Sequence, residues 1–390
     1  MSRFLLYEVA CWALLAVVAY GAAPALTIVV VAIALYATIP LLLFLRWRGW
    51  PFYPRAAFRL FVVRVALYVQ LLLPIVAAAA AVGLLVGWPL GMPLLVGRLL
   101  AAVALVVAGV VLLAGYVGSK RLVVREVEAR VPGLDAALDG LRIVQISDLH
   151  VGPHTSRRFM GRVAETVAGA TPDMIAVTGD LVDDRAEDVA WYAAAFAKLR
   201  APLGVYLIPG NHDIYAGWDA VAQALRQRTD TTILVNESRL VERRGAQLAI
   251  VGTGDPAAAG NRRWTAAPAS AAPDVERALA HVPSATPVVA FAHNPALWPG
   301  LAQRGVALTL SGHTHWGQFA LPRLGWSFAS PFMEYAMGAH RAGDSLLYIN
   351  PGTGYWGIPF RIGALPEITI VTLRRADEAE ISVGEAKIAA

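Results

Sequence analysis

Between Glu8 and Arg46 the chain runs for 37 residues without a charged side chain. That is too long for one bilayer crossing, which takes about 20 apolar residues, and about right for two. Gly21-Ala22-Ala23-Pro24 supplies a break between them. A second block, Val65 to Val117, has Arg98 as its one charge and is interrupted at Gly87-Trp88-Pro89-Leu90-Gly91-Met92-Pro93, a cluster that stops a helix. The pattern predicts four transmembrane helices, near 4–20, 25–45, 62–86 and 96–117. A cleaved signal peptide would show a single short apolar core and a small-residue cleavage site, and buried helices of soluble proteins rarely contain apolar spans of this length. The composition, 57% hydrophobic and 16% charged, argues against a soluble or disordered chain. Cys11 is the one cysteine, so no internal disulfide is available.

The pI of 9.4 suggests nucleic acid until the charges are located. Residues 1–118 hold 7 basic and 1 acidic residue, whereas residues 119–390 hold 26 basic and 27 acidic. The basic excess thus belongs to the hydrophobic part, and a nucleic-acid footprint loses its support. Arg46, Arg48, Arg55 and Arg59 fill the middle loop; Lys120, Arg121 and Arg125 follow the last span; the other two hairpins carry no charge. Lys and Arg mark the cytoplasmic side, so the N-terminus, the middle loop and everything after the fourth span are expected in the cytoplasm. Trp12, Trp47, Trp50 and Trp88 suit interfacial anchoring. The expected division is a membrane domain over 1–118 and a second domain over 119–390.

From about residue 119 the texture changes to short apolar runs separated by turn residues and helical stretches at 156–170, 187–200 and 217–228. Five runs share one feature: 142–147 leads into Asp148, 174–179 into Asp180, 205–210 into Asn211, 288–292 into His293, and 307–312 into His313. Each reads as a buried strand, and strands alternating with helices indicate an α/β sheet with parallel strands. Such sheets collect their ligands at the carboxyl ends of the strands. All eight histidines lie after residue 149, and His150, His212, His293, His313 and His315 cluster at these ends. Carboxylate, imidazole and amide without thiolate suit Mn²⁺, Zn²⁺ or Fe²⁺. Any one motif has an ordinary reading as a turn or helix cap; five in order do not.

Asp148-Leu149-His150, Gly179-Asp180, Gly210-Asn211-His212-Asp213, His293-Asn294 and Gly312-His313-Thr314-His315 together resemble the five-part signature of the calcineurin-like metallophosphoesterases. The likeness extends over roughly 120–375, with Leu138-Asp139-Gly140-Leu141-Arg142 and Pro366-Glu367-Ile368-Thr369 as further marks. With the four apolar spans in front, the whole chain resembles transmembrane proteins with a metallophosphoesterase domain. The resemblance implies a four-layer α/β/β/α sandwich and two divalent metal ions (Mn, Zn or Fe). One ion would take Asp148, His150 and His315, the other Asn211, His293 and His313, with Asp180 bridging. It further implies a water activated by the pair that attacks phosphorus in line, His212 as general acid to the leaving oxygen, and Asp213 orienting that imidazole. Trp316 stands where relatives usually have Gly, and is expected to narrow the pocket mouth.

Among residues outside the signature, Arg361 is a candidate phosphate contact, and Arg157-Arg158 reads as a solvated face. His154 is expected near the site, and His281 and His340 at the surface. The implied activity is hydrolysis of phosphodiester or pyrophosphate bonds at the cytoplasmic face of an inner or plasma membrane. Lipid-linked substrates such as UDP-2,3-diacylglucosamine are expected, with cyclic nucleotides or phosphoproteins as alternatives. A channel or transporter with a regulatory metal-binding domain is the non-enzymatic alternative. It is disfavoured because the spans hold no central acid, Lys or His.

Overall fold

The computed structural model describes residues 2–20, 24–46, 59–196, 199–259 and 269–389. The chain divides into two compact units, Met1–Ala114 and Gly115–Ala390.

In the first unit, helices form at α1 (Ser2–Tyr20), α2 (Pro24–Arg46), α3 (Arg64–Gly87, preceded by a π turn at Arg59–Val63) and α4 (Pro93–Gly118). The last four residues of α4 belong to the second unit. Among the described residues two helices are long and apolar enough to cross a membrane, Leu60–Gly87 and Pro93–Gly118, while α1 and α2 contribute shorter apolar stretches at Leu5–Tyr20 and Ala25–Ile39. Both long helices turn much of their apolar surface outward, as at Leu85, Val106 and Val110. Core helices of a soluble protein do the opposite. The inward stripe of α3 is mostly small: Ala66, Leu73, Ala77, Ala80, Gly83 and Gly87. Small stripes let helices approach closely where no hydrophobic effect drives them together. Glu8 in α1 is buried and accepts hydrogen bonds from Trp12 Nε1 at 3.0 Å, Thr38 Oγ1 at 2.9 Å and Gln70 Nε2 at 3.1 Å, tying three helices together. The expected break at 21–23, and Trp47, Arg48, Trp50 and Arg55 of the middle loop, lie outside the described residues.

The second unit is built on β1 (Val123–Pro132), β2 (Arg142–Ile146), α5 (Arg157–Gly169), β3 (Met174–Thr178), α6 (Val189–Phe196), β4 (Val205–Ile208), α7 (Asn211–Tyr215), α8 (Trp218–Arg228), β5 (Thr232–Ile233), β6 (Glu237–Arg243) and β7 (Ala246–Gly252). It continues through α9 (Val275–Leu279), β8 (Val288–Phe291), α10 (Trp298–Ala302), β9 (Leu308–Ser311), β10 (Ala320–Leu321), β11 (Trp326–Ser327), β12 (Gly338–Ala342), β13 (Ser345–Ile349), β14 (Glu367–Ala376), β15 (Glu380–Val383) and β16 (Lys387–Ile388). One sheet has the order β15-β1-β14-β2-β3-β4-β5, with β16 on β1, and the other β12-β13-β9-β8-β7-β6. The strands that lead into the signature residues are parallel within each sheet, as expected: β2 to β3 to β4, and β8 to β9. Both sheets are mixed, because β14 runs against β2 and tight hairpins add antiparallel edges. The two-residue turn Arg244-Gly245, with φ of 53° and 87°, has the positive angles that a tight hairpin needs.

Strand alternation sets the layers. Ile143, Ala176 and Ile208 of the first sheet share one core with Ile250, Phe291 and Leu310 of the second. Their neighbours Val144, Ile175 and Leu207 face outward onto Val163, Tyr192 and Val221 of α5, α6 and α8. On the far side Ala249, Val251 and Ala290 pack against Ala278 of α9 and Leu301 of α10. Two sheets face to face, each with helices on its outer side, bring the carboxyl ends of β2, β3, β4, β8 and β9 together.

Candidate metal centre

Each signature residue follows a strand end that is pinned by the neighbouring strand's exit. Asp148 N donates to Gly179 O at 3.0 Å, His150 N to Asp180 O at 3.0 Å, and Gly312 N to His293 O at 3.1 Å. Glycine precedes three of the signature residues for want of room, and a Cβ on Gly179 would strike the His293 ring. A Cβ on Gly210 would strike the Asp180 carboxylate, and one on Gly312 would strike Ser147 Oγ and Asp148 Oδ2.

The backbone is held in an unusual state. Asp148, His150, Asp180, His313 and His315 have φ of 51°, 45°, 49°, 70° and 49°. For residues other than glycine this region costs about 1–3 kcal/mol each and persists only where the surroundings over-determine it. Such clusters mark functional sites.

The expected residues converge as two groups. Asp148, His150 and His315 offer ligand atoms within 4.8 Å of one another, and so do Asp180, His293 and His313. Asn211 joins the second group: its Oδ1 lies 2.7 Å from His313 Nδ1 and 3.2 Å from His293 Nε2. Asp180 stands between the groups, with Oδ2 at 3.6 Å from His150 Nε2 and 3.3 Å from His293 Nε2. His212 lies within the same 4.8 Å limit of His150 and Asp180.

The chemistry of the donors asks for a cation. His293 Nδ1 donates to Thr178 O at 2.8 Å, which in the neutral ring leaves a lone pair on Nε2. That lone pair faces Asp180 Oδ2 and Asn211 Oδ1, both acceptors, so positive charge is needed among them. Burial alone would depress the His293 pKa, but the Asp180 carboxylate holds it well above the usual imidazole range. Burial likewise would raise Asp180, yet His293 and His212 hold it well below the carboxylate range. His313 goes the other way, pushed down to about 4 by burial and by the charge on His293. These buried donors fit two divalent cations.

Three expectations are corrected by the geometry. Asp213 does not turn to the His212 ring. It is fully buried and accepts from Leu181 N at 3.2 Å, Val182 N at 3.0 Å and Gly210 N at 3.0 Å, because those turn amides have no other way to be satisfied. Arg361 is not a phosphate contact. Its guanidinium is wholly buried and donates to the carbonyls of His315, Pro351, Gly354 and Ala364 and to His315 Nδ1 at 2.8 Å. Trp316 does not narrow the mouth. At φ 49° its ring turns inward among Trp298, Leu347 and Ile349, with Nε1 donating to Ile349 O at 2.9 Å.

Asp183 was missed. His212 Nδ1 lies 2.5 Å from its carbonyl oxygen, and its carboxylate is 3.4 Å from His150 Nδ1 and 3.9 Å from His154 Nδ1. Despite burial, His150 and its neighbours hold Asp183 below the carboxylate range. A second acid three residues after Asp180 was the available signal. His154 is near the site as expected, whereas Arg157 leans on Trp191 with 5.3 Å to the ring centre. His340 is half-buried rather than at the surface. His212 has two half-exposed aromatic neighbours, Tyr215 at 5.6 Å and Trp356 at 6.3 Å between ring centres.

The chain is similar in sequence to known proteins. The profile of the calcineurin-like phosphoesterases matches residues 141–317. A "Transmembrane protein with metallophosphoesterase domain" of Danio rerio is 33% identical over 70% of this chain and 62% of its own length. A metallophosphoesterase of Helicobacter pylori (strain J99) is 31% identical over 68% of this chain and 67% of its own. One of Bacillus subtilis (strain 168) is 30% identical over 60% and 80%. The chain thus spans less than two thirds of the length of the Danio rerio protein. Two sheets that deliver carboxylates, imidazoles and an amide to one point, inside the matched region, agree with that kinship: the chain belongs to the calcineurin-like metallophosphoesterase family, whose domain hydrolyses phosphoric esters with a binuclear divalent metal centre.

Proposed function

We propose that this protein is a membrane-anchored phosphoesterase that cleaves phosphodiester or pyrophosphate bonds of lipid-linked substrates at the cytoplasmic face. The observation that carries the reading is the convergence of Asp148, His150 and His315 with Asp180, His293 and His313 in a chain that also has helices long enough to cross a bilayer. All four N-terminal helices are taken as spans. Arginines of the middle loop and the basic residues after α4 favour the cytoplasmic side for the second unit.

One cation would be held by Asp148, His150 and His315, the other by Asn211, His293 and His313, with the Asp180 carboxylate shared. Such a pair, when bound, supplies an activated water and neutralises charge growing on the phosphoryl oxygens. The Asp183 carboxylate, 3.4 Å from His150 Nδ1, is placed to orient that ring, as carboxylates do for ligating histidines. Arg361 Nη2, 2.8 Å from His315 Nδ1, holds that ring with Nε2 towards His150 and Asp148, and burial with the neighbouring guanidinium disfavours its cationic form. His212 is assigned the proton for the leaving oxygen. Its Nδ1–H points at the Asp183 carbonyl, so Nε2 is the nitrogen left to serve the substrate. Tyr215 and Trp356 beside it form an apolar edge that suits a leaving group with a hydrophobic or planar part.

The test is a panel assay of full-length protein reconstituted with Mn²⁺. Turnover of a nucleotide-linked lipid above that of soluble diesters, monoesters and cyclic nucleotides supports the reading. Preference for a cyclic nucleotide or a phosphopeptide overturns the lipid assignment and leaves the hydrolase.

A further inference from the structure

We infer that the hairpin β10–β11 and the segment after it, residues 319–332, dock into the interfacial layer of a lipid bilayer. The inference rests on the membrane-anchored reading above and names the surface of the second unit that meets the lipid.

The segment begins one residue after Gln318, which ends the loop that carries His313 and His315. Isolated exposed apolar side chains are ordinary. Here Leu321, Leu324, Trp326, Phe328 and Phe332 are all exposed within 12 residues, Leu324 by 75% and Phe332 by 86%. The aromatic rings support one another: Phe319 stacks on Phe328 at 4.8 Å, and Trp326 meets Phe328 edge-on at 5.3 Å. Arg323 at the turn is the one charged residue among these 14. Clustered Trp, Phe and Leu with a lone cation is the composition of elements that sit at the headgroup level, and a patch of this kind marks an interaction surface.

The backbone is equipped for a medium without water. Ala320 N donates to Ile362 O at 2.8 Å, Phe328 N to Phe319 O at 3.0 Å, and Gly325 N to Pro322 O at 3.1 Å, so these amides do not depend on water. The segment is also fastened to the site. The Gln318 side chain takes both main-chain groups of Trp356, at 3.1 Å and 3.0 Å, and Trp356 edges His212. A bilayer is favoured over a protein partner because the chain carries its own apolar helices, which hold it at a membrane.

The test uses the full chain with Cys11→Ser, in lipid nanodiscs, with an environment-sensitive fluorophore on Phe332→Cys or, as reference, on Leu240→Cys of β6, which is also exposed. Quenching by acyl-chain nitroxide lipids should be severalfold stronger at 332 than at 240, and quenching by aqueous iodide severalfold weaker. A label on Leu324→Cys repeats the measurement at the turn. If the chain enters nanodiscs but 332 and 324 respond like 240, the docking inference fails alone. Shielding from both quenchers, with two copies per disc, overturns it in favour of a contact between copies. If the chain does not enter lipid at all, the membrane reading has failed and the inference falls with it.

Discussion

His150 and His315 bring their Nε2 atoms to 3.0 Å from each other across 165 residues of sequence, with Asp148 Oδ1 3.4 Å from the second. Two imidazole nitrogens and a carboxylate at these distances would close around a cation. Chelation should therefore lower the unfolding midpoint, and Mn²⁺ or Zn²⁺ should restore it. A ligand at 100 times its dissociation constant contributes about 2.7 kcal/mol. Thermal unfolding in detergent, with and without chelator, reads this; equal midpoints would count against bound metal.

Asp180→Asn keeps the shape of the shared carboxylate and removes its charge, so metal content and turnover should both collapse. His212→Asn should retain two metals and slow turnover by roughly 10²–10⁴, the usual range for one general acid. The deficit should be smaller for a nitrophenolate leaving group than for an alkoxide. Elemental analysis beside rates on both substrates decides. Loss of metal from the His212 variant would make it a ligand, as its distance to His150 and Asp180 permits.

Asp213→Ala should act on stability, because it strands the amides of Leu181, Val182 and Gly210. An unsatisfied buried donor costs about 1–3 kcal/mol, so a loss of several kcal/mol is expected in chemical denaturation. His212→Ala should leave the denaturation midpoint nearly unchanged. Equal effects of the two would restore a joint role for the pair.

Arg361→Met should loosen His315 and leave buried carbonyls unpaired. Metal content and stability should fall together, while the KM for residual activity changes little. A rise in KM at full metal occupancy would return Arg361 to the substrate.

A reporter fused after Ala390 should be cytoplasmic. Replacing Arg46, Arg48, Arg55 and Arg59 with Ala should weaken that preference. A C-terminal reporter on the other face in the unaltered protein would reverse the orientation.

The strands and their terminal donors were legible because a buried parallel strand is a continuous apolar run, and whatever ends it stands out: Asp148 after Ile146, His313 after Ser311. The four helices were legible as uncharged runs for the same reason. What the pattern did not carry is the direction of a side chain in a loop. Asp213 and His212 are neighbours in sequence yet point to different partners, since α7 starts there and turns successive residues apart. Arg361 looks like a surface cation until the carbonyls of Pro351 and Gly354 are seen to surround it. Trp316 is unusual where glycine is usual because φ there is positive, and only the fold shows which way the ring then goes.

Each donor group draws members from both sheets: Asp148 and His150 follow β2 while His315 follows β9, and Asp180 follows β3 while His293 follows β8. The spread of the donors within each group thus follows how the sandwich is closed at that end. A change in the shared interior, such as Phe291→Leu or Leu310→Val, touches no ligand but alters the spacing of the layers. Variants with altered metal preference are therefore to be sought in the middle of the core as well as at the mouth.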